Sequence, residues 1–219
     1  HRMSDEDADV LFGKLQIKCV IDLRCGWEVK AKPEAAHPAF EKYGVEYMHI
    51  PYYDKEIVGI EYEHPAEGTC MVGRDIACDP IHFYRSLANP LTVGQMSQAL
   101  ACIFEHAVQG HAVYQHCSGG KDRAGIMALL ILHVLGASEE HIQEDYELTN
   151  ISRDKQYEKN FARFLRLAQG NEELAHELVI SHRAVPANLN AFYGAINEAY
   201  GEMESFVQNK LGIDPALRE

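Results

Sequence analysis

Residues 112–135 constrain this chain more than any other stretch. Residues 112–116 (Ala-Val-Tyr-Gln-His) read as a strand, Cys117 to Arg123 as a short loop carrying Gly119 and Gly120, and 124–135 as a helix apolar on nearly every side. A helix apolar all round has to be buried. A strand that passes through seven residues into a buried helix is half of a parallel α/β unit. Two further β-branched runs, 18–24 and 45–50, enclose a helical stretch at 33–43, so strand, crossover and strand recur. The expected fold is α/β, with a small central parallel or mixed sheet flanked by helices.

The rest of the chain fills in that frame. Ser4-x-x-Asp7 opens a short helix running to Gln16, and Thr92-x-x-Gln95 reads as a capping box for a helix that Gly110 closes. Ser138 starts another helix, and 154–219 is helix after helix. In one of these Tyr157, Phe161, Phe164, Leu165 and Ala168 share a face opposite Lys155, Lys159, Arg163 and Arg166. Residues 52–80 show no period and carry three glycines, which reads as a long excursion or lid. All 219 residues are expected to form one domain, and at 47% hydrophobic they can fill its core.

Charge and composition exclude several classes. A net charge of −13 repels nucleic acid and anionic lipid on average, so an anionic substrate needs a local basic pocket. The apolar run at 124–135 is too short to span a bilayer, which excludes stable membrane insertion. Six cysteines at irregular spacing match neither a disulfide framework nor a zinc motif, and none of the twelve histidines falls in a metal-binding pattern. No metal or cofactor is expected, and a reducing, cytoplasmic setting is the plainer reading, with export as a secreted effector left open. The first residues, His-Arg-Met-Ser, lack a signal-peptide pattern and read as a start inside a longer gene product.

The chemistry concentrates at His116-Cys-Ser-Gly-Gly-Lys-Asp-Arg-Ala-Gly125, a Cys-x5-Arg loop between strand and buried helix. Such a loop turns successive N–H groups into one concavity above a helix N-terminus, a nest for a tetrahedral dianion. Ser118, Gly119, Gly120, Lys121 and Ala124 would line it. Cys117 at its floor is the expected nucleophile, because neighbouring donors and a guanidinium favour a thiolate. Arg123 offers two parallel N–H groups to phosphate oxygens, and His116 is placed to fix the loop through the backbone. Asp22 and Arg24 stand at the carboxyl end of a parallel strand, where they either reach the pocket or brace it as a pair.

These residues resemble the cysteine-dependent tyrosine phosphatases, in the bacterial branch similar to mycobacterial protein tyrosine phosphatase B. Gly120-Lys-Asp-Arg123 matches the core of that family's loop, residues 20–24 with Glu28 and Pro33 look like its first strand block, and the stretch from Tyr200-Gly201 to Leu211-Gly212 looks like its C-terminal ending. The resemblance implies hydrolysis of a phosphomonoester through a phosphocysteine, on phosphotyrosine and also phosphoserine, phosphothreonine or phosphoinositides. Partners would then be a phosphorylated protein or a phosphoinositide. Ala124 departs from the pattern, standing where relatives carry a hydroxyl that helps the thiolate leave.

One carboxyl group can protonate the leaving group and then activate water. Many relatives carry this acid on a Trp-Pro-Asp loop, whereas Trp27 here is followed by Glu28; the resemblance to the bacterial branch implies Asp122 inside the loop as the acid, with a loop-bracing carboxylate as its competing role. Two rival functions remain: a pseudophosphatase that binds phosphate without turnover, favoured by Ala124, and a rhodanese-like sulfurtransferase, disfavoured by the long Cys-to-Arg spacing.

Overall fold

The computed structural model describes residues 3–34, 37–52 and 80–213. Strands β1 (Ile17–Asp22), β2 (Glu46–His49) and β3 (Ala112–His116) form a parallel sheet in the order β2-β1-β3. The central position of β1 explains its composition, since a strand covered on both faces reads as a nearly continuous apolar run. Cys19, Ile21 and Leu23 turn to the larger core, and Val20 to a smaller one. Simple alternation would put Ile17 with Cys19. It lies with Val20 instead, because the pairing with β3 is irregular between Ile17 and Cys19.

The smaller core is closed by α1 (Asp5–Ala8), a π-helical continuation at Asp9–Lys14, and α3 (Pro38–Tyr43). Phe12 meets Phe40 edge-on there, with ring centroids 5.6 Å apart. The Ser4 hydroxyl accepts the Asp7 N–H at 3.1 Å and the Asp7 carboxylate accepts the Ser4 N–H at 2.9 Å, the capping box expected from the sequence.

The larger core lies on the opposite face, under α4 (Pro80–Ser86), α5 (Pro90–Val108), α6 (Arg123–Val134), α7 (Glu139–Asp154), α10 (Pro186–Tyr200) and α11 (Met203–Asn209). Between α7 and α10, helices α8 (Tyr157–Leu167) and α9 (Glu172–Ser181) pack together over their own cluster of Phe164, Ala168, Ala175 and Val179. No helix among the described residues is long and apolar enough to cross a membrane.

Two local expectations are corrected. The helix expected to open at Thr92 begins at Pro90, where the Asn89 side chain accepts the N–H groups of Leu91 and Thr92, both at 3.0 Å. Thr92 is instead buried and donates its hydroxyl to the Tyr52 carbonyl at 3.0 Å; proline at the first helical position sets the start. Within the helix or helical turn expected over 33–43, α3 begins at Pro38, while Gly26–Ala31 folds as an additional helix, α2. The excursion at 52–80, apart from Tyr52 and Pro80, lies outside the described residues, as do Cys70 and Cys78.

Candidate active site

Parallel pairing gathers the carboxyl ends of all three strands at one edge, with Asp22 in register with both His49 and His116. The pairing extends past the strands: Leu23 N–H donates to the His116 carbonyl at 2.8 Å, and Ile50 N–H to the Asp22 carbonyl at 2.9 Å. Strand β3 therefore delivers Cys117 directly from the sheet into the loop. Gly120 takes φ +67°, a left-handed conformation that lets the loop turn back to α6. Gly125, one turn into α6, leaves room for Tyr146 of α7, since a Cβ there would stand 3.0 Å from the tyrosine ring.

Arg123 and Glu28 form the centre of the site. Arg123 is 3% exposed and Glu28 6%, and they meet through Nη1 to Oε2 at 2.5 Å and Nη2 to Oε1 at 3.0 Å. Nη1 also lies 3.5 Å from Cys25 Sγ. Glu28 is fixed in turn by the Cys25 N–H at 2.8 Å and by the Ser118 hydroxyl. Burial pushes the Glu28 carboxyl up, but the Arg123 hydrogen bonds and charge, with help from Ser118 and the Cys25 amide, hold it down at about 2. Burial opposes the charge on Arg123, while Glu28 and the neighbouring Cys117 raise its pKa. Glu28 thus takes one edge of the guanidinium. The Nε N–H, buried and without a hydrogen-bond partner among the described residues, is left on the other.

A second network holds Asp122. Its Oδ1 accepts from the Tyr84 hydroxyl at 2.7 Å and faces Lys121 Nζ at 2.9 Å. Tyr84 meets the Tyr146 hydroxyl at 2.5 Å, and Asn188 Nδ2 donates to Tyr146 at 3.0 Å. Burial, followed by the negative field of Asp122, raises the Tyr84 pKa, so it remains a protonated donor. Lys121 was expected beside the pocket, yet it is fully buried between Asp122 and the Arg183 carbonyl. Burial lowers its pKa against the pull of Asp122, and its charge is spent inside the protein.

The third group braces the floor. Arg24 Nε donates to both Asp22 oxygens at 2.8 and 3.0 Å, and Nη2 donates to Oδ2 at 2.6 Å. Nη1 donates to the Lys32 carbonyl at 3.1 Å, and Glu34 lies 3.4 Å from Nη2. Burial raises the Asp22 pKa, but Arg24 and the Tyr47 hydroxyl outweigh it and hold the carboxyl at about 2. Of the two roles open to Asp22 and Arg24, the contacts match the bracing pair. His116 contacts the Cys117 carbonyl through Nδ1 at 3.2 Å, lies 3.2 Å from Glu34 through Nε2, and stacks on Tyr114. Asp22, Glu34 and His116 bring ligand atoms within 4.8 Å of one another, but Arg24 already supplies the positive charge there.

The other expected residues fall around this centre. Cys117 is buried, 8% exposed, with a free thiol. Ser118 turns its hydroxyl to Glu28, and Arg153 Nη2 of α7 donates to the Gly119 carbonyl at 3.3 Å. Ala124, in the first turn of α6, borders a cavity of about 260 Å3 that also reaches Gly125, Ala128 and Tyr146. Sequence reasoning missed Glu28 as the partner of Arg123, and missed Tyr84, Tyr146 and Asn188 altogether. Only Glu28 left a local signal: it stands three residues after Cys25, where a glutamate closes a cap on a strand-to-helix turn.

A parallel sheet that feeds a Cys-x5-Arg loop, with the arginine held from behind by a buried glutamate, places the chain among α/β proteins built around a strand-loop-helix unit. The model of the tyrosine phosphatase family matches residues 1–219, and the chain belongs to that family. A Cupriavidus necator protein bearing the name "Putative tyrosine-protein phosphatase" is 28% identical over 120 residues, which cover 54% of this chain. The match takes in 42% of that relative, less than half its length.

Proposed function

We propose that this chain hydrolyses phosphotyrosine through a phosphocysteine intermediate, with Cys117 as nucleophile, Arg123 as phosphate clamp and Asp122 as general acid. The observation that carries the reading is the divided guanidinium of Arg123: Glu28 fixes one edge, and the Nε edge is buried and without a hydrogen-bond partner among the described residues, in the field of Cys117. A planar donor pre-set in this way suits the equatorial oxygens of a phosphoryl group. Family membership supports phosphatase chemistry.

In the first step the Cys117 thiolate attacks phosphorus, the P–O ester bond breaks, and the departing oxygen takes a proton from Asp122. In the second, the Asp122 carboxylate takes a proton from water, whose oxygen attacks phosphorus and breaks the P–S bond, releasing phosphate and the thiolate. Tyr84 and Lys121 both bind Oδ1 and orient the carboxyl, which leaves Oδ2 to exchange the proton. Phosphoserine, phosphothreonine and phosphoinositide headgroups fit the same chemistry and compete as substrates. With Lys121 buried, the added charge that would favour a multiply phosphorylated ligand is removed. A reducing, cytoplasmic setting agrees with Cys19, Cys25, Cys102 and Cys117 standing outside any disulfide.

Initial rates on a phosphotyrosine peptide, phosphoserine and phosphothreonine peptides and each phosphoinositide, run with chelator present, test the reading. The phosphotyrosine peptide should turn over fastest, and Cys117→Ser should abolish turnover while phosphate still protects the fold thermally. Retention of a tenth or more of the activity in Cys117→Ser would overturn the nucleophile assignment.

A further inference from the structure

Away from the catalytic edge, β1 and α5 bring two cysteines and a histidine together. Cys19 and Cys102 are buried with their sulfurs 3.6 Å apart, and the ligand atoms of Cys19, Cys102 and His106 all lie within 4.8 Å of one another. Cys102 and His106 are four residues apart on α5, so both project from one face. His106 Nε2 lies 3.4 Å from the Glu46 carboxylate, while Nδ1 is buried and has no hydrogen-bond partner among the described residues. Met48 of β2 places its sulfur 3.1 Å from Cys102 Sγ.

We propose that Cys19, Cys102 and His106 form a zinc-binding site separate from the catalytic loop, with His106 ligating through Nδ1. Two sulfurs 3.6 Å apart, each about 2.3 Å from a zinc ion, subtend roughly 103° at the metal, close to a tetrahedral angle. Contact between two thiols would account for the cysteines alone. It leaves unexplained the His106 imidazole, one nitrogen of which lies within 4.8 Å of both sulfurs and whose Nδ1 is buried without a hydrogen-bond partner among the described residues. The Glu46 carboxylate facing Nε2 is the outer-shell partner that orients a ligating histidine and makes its other nitrogen more basic. Met48 borders the fourth position, which its thioether or a water completes. Glu46 is exposed and His106 half-buried, so an ion can enter from the surface.

Binding replaces two S–H bonds with two S–Zn bonds and releases two protons to the solvent, with no change of oxidation state. Burial raises the pKa of both thiols, first of all that of Cys19, so each is a protonated thiol before the metal arrives. Zinc would tie β1 to α5, elements 83 residues apart at Cys19 and Cys102, a link that no local cysteine spacing announces.

The test uses the full chain carrying Cys117→Ser, so that the catalytic thiol contributes nothing. Cobalt(II) titration should give one equivalent of tetrahedral cobalt with a thiolate-to-metal charge-transfer band, and zinc should displace it and raise the melting temperature. Adding Cys102→Ser or His106→Gln should weaken binding by about a hundredfold or more, whereas His111→Gln should leave it unchanged. Three results would overturn the site: no charge-transfer band, a band indifferent to both ligand variants, or retention of copper but not zinc. Far-UV circular dichroism on each variant separates loss of binding from loss of fold, and His106, at a half-buried position, is the substitution the fold best tolerates.

Discussion

Replacing Glu28 with glutamine probes the site most directly, because Glu28 neutralises a guanidinium that is 3% exposed. Breaking one side of a buried ion pair costs about 3–5 kcal/mol, since the remaining charge is left uncompensated. Glutamine keeps one oxygen for Arg123, so the lower end, about 3 kcal/mol, applies. The carboxyl itself gives a similar figure: its fall from 4.5 to about 2 on folding corresponds to about 3 kcal/mol. For a chain of this length that loss lowers the melting temperature by roughly 6–12 °C. Function should suffer as well, because Arg123, Ser118 and Cys25 all take their orientation from the same carboxylate. A fall of about tenfold to a hundredfold in kcat/KM is expected, on the order of 1.4–2.7 kcal/mol. Inorganic phosphate or vanadate should then raise the melting temperature more in Glu28→Gln than in the parent, because the dianion returns negative charge to Arg123. Scanning fluorimetry with and without the anion reads both effects. A variant melting within about 2 °C of the parent, with unchanged kcat/KM, would refute the placement of Glu28 behind Arg123.

Three further outcomes are expected. Glu28 and Asp22 are both depressed on folding to about 2, so their stabilisation is present in full above their unfolded values of 4.5 and 3.8 and is lost as pH falls toward 2. The urea midpoint of the parent minus that of Glu28→Gln should therefore shrink between those values, and a difference independent of pH would count against the pairing. Tyr84→Phe removes a donor to Asp122 and should lower kcat by about fivefold to thirtyfold and move the pH profile, with the melting temperature little changed; an unmoved profile would detach Tyr84 from the acid. Ala124→Thr places a hydroxyl beside the adjoining cavity and should raise kcat while shrinking a pre-steady-state burst of phenol from an aryl phosphate; a linear time course in the parent and no gain in the variant would show that phosphocysteine breakdown is not limiting.

The strand, loop and helix at 112–135 were legible because their cues are local: alternation, paired glycines and a nearly continuous apolar run. Asn89 and Thr92 show how a local cue misleads, since both are good capping residues three apart and only the proline at position 90 decides between them. Helix α2 spans six residues, too few to display a period. Lys121 sits in a glycine-rich loop and so reads as exposed; its burial depends on α4 and on the Arg183 carbonyl, neither of which is nearby in sequence. The contact between Arg123 and Glu28 crosses 95 residues. Its glutamate was visible as a helix cap, but no periodicity links the two positions. Cys117 and Arg123 stand out in the sequence as a spaced pair, whereas the residues that contact Arg123 and Asp122 across the fold do not.

The direct passage from β3 into Cys117 also bears on which length changes the gene can accept. No spacer separates His116 from Cys117, and His116 stands opposite Asp22 in the sheet. A one-residue insertion between Ala112 and His116 would place a different side chain opposite Asp22 and turn the histidine to the other face, away from Glu34 and Tyr114. The irregular pairing at Ile17 and Cys19 has already absorbed one such offset at the far end of the strand. Insertions should therefore accumulate at the exposed turn ending in Gly110 and be purged from Ala112 to Arg123, so that evolution measures this protein's length from Cys117 backwards.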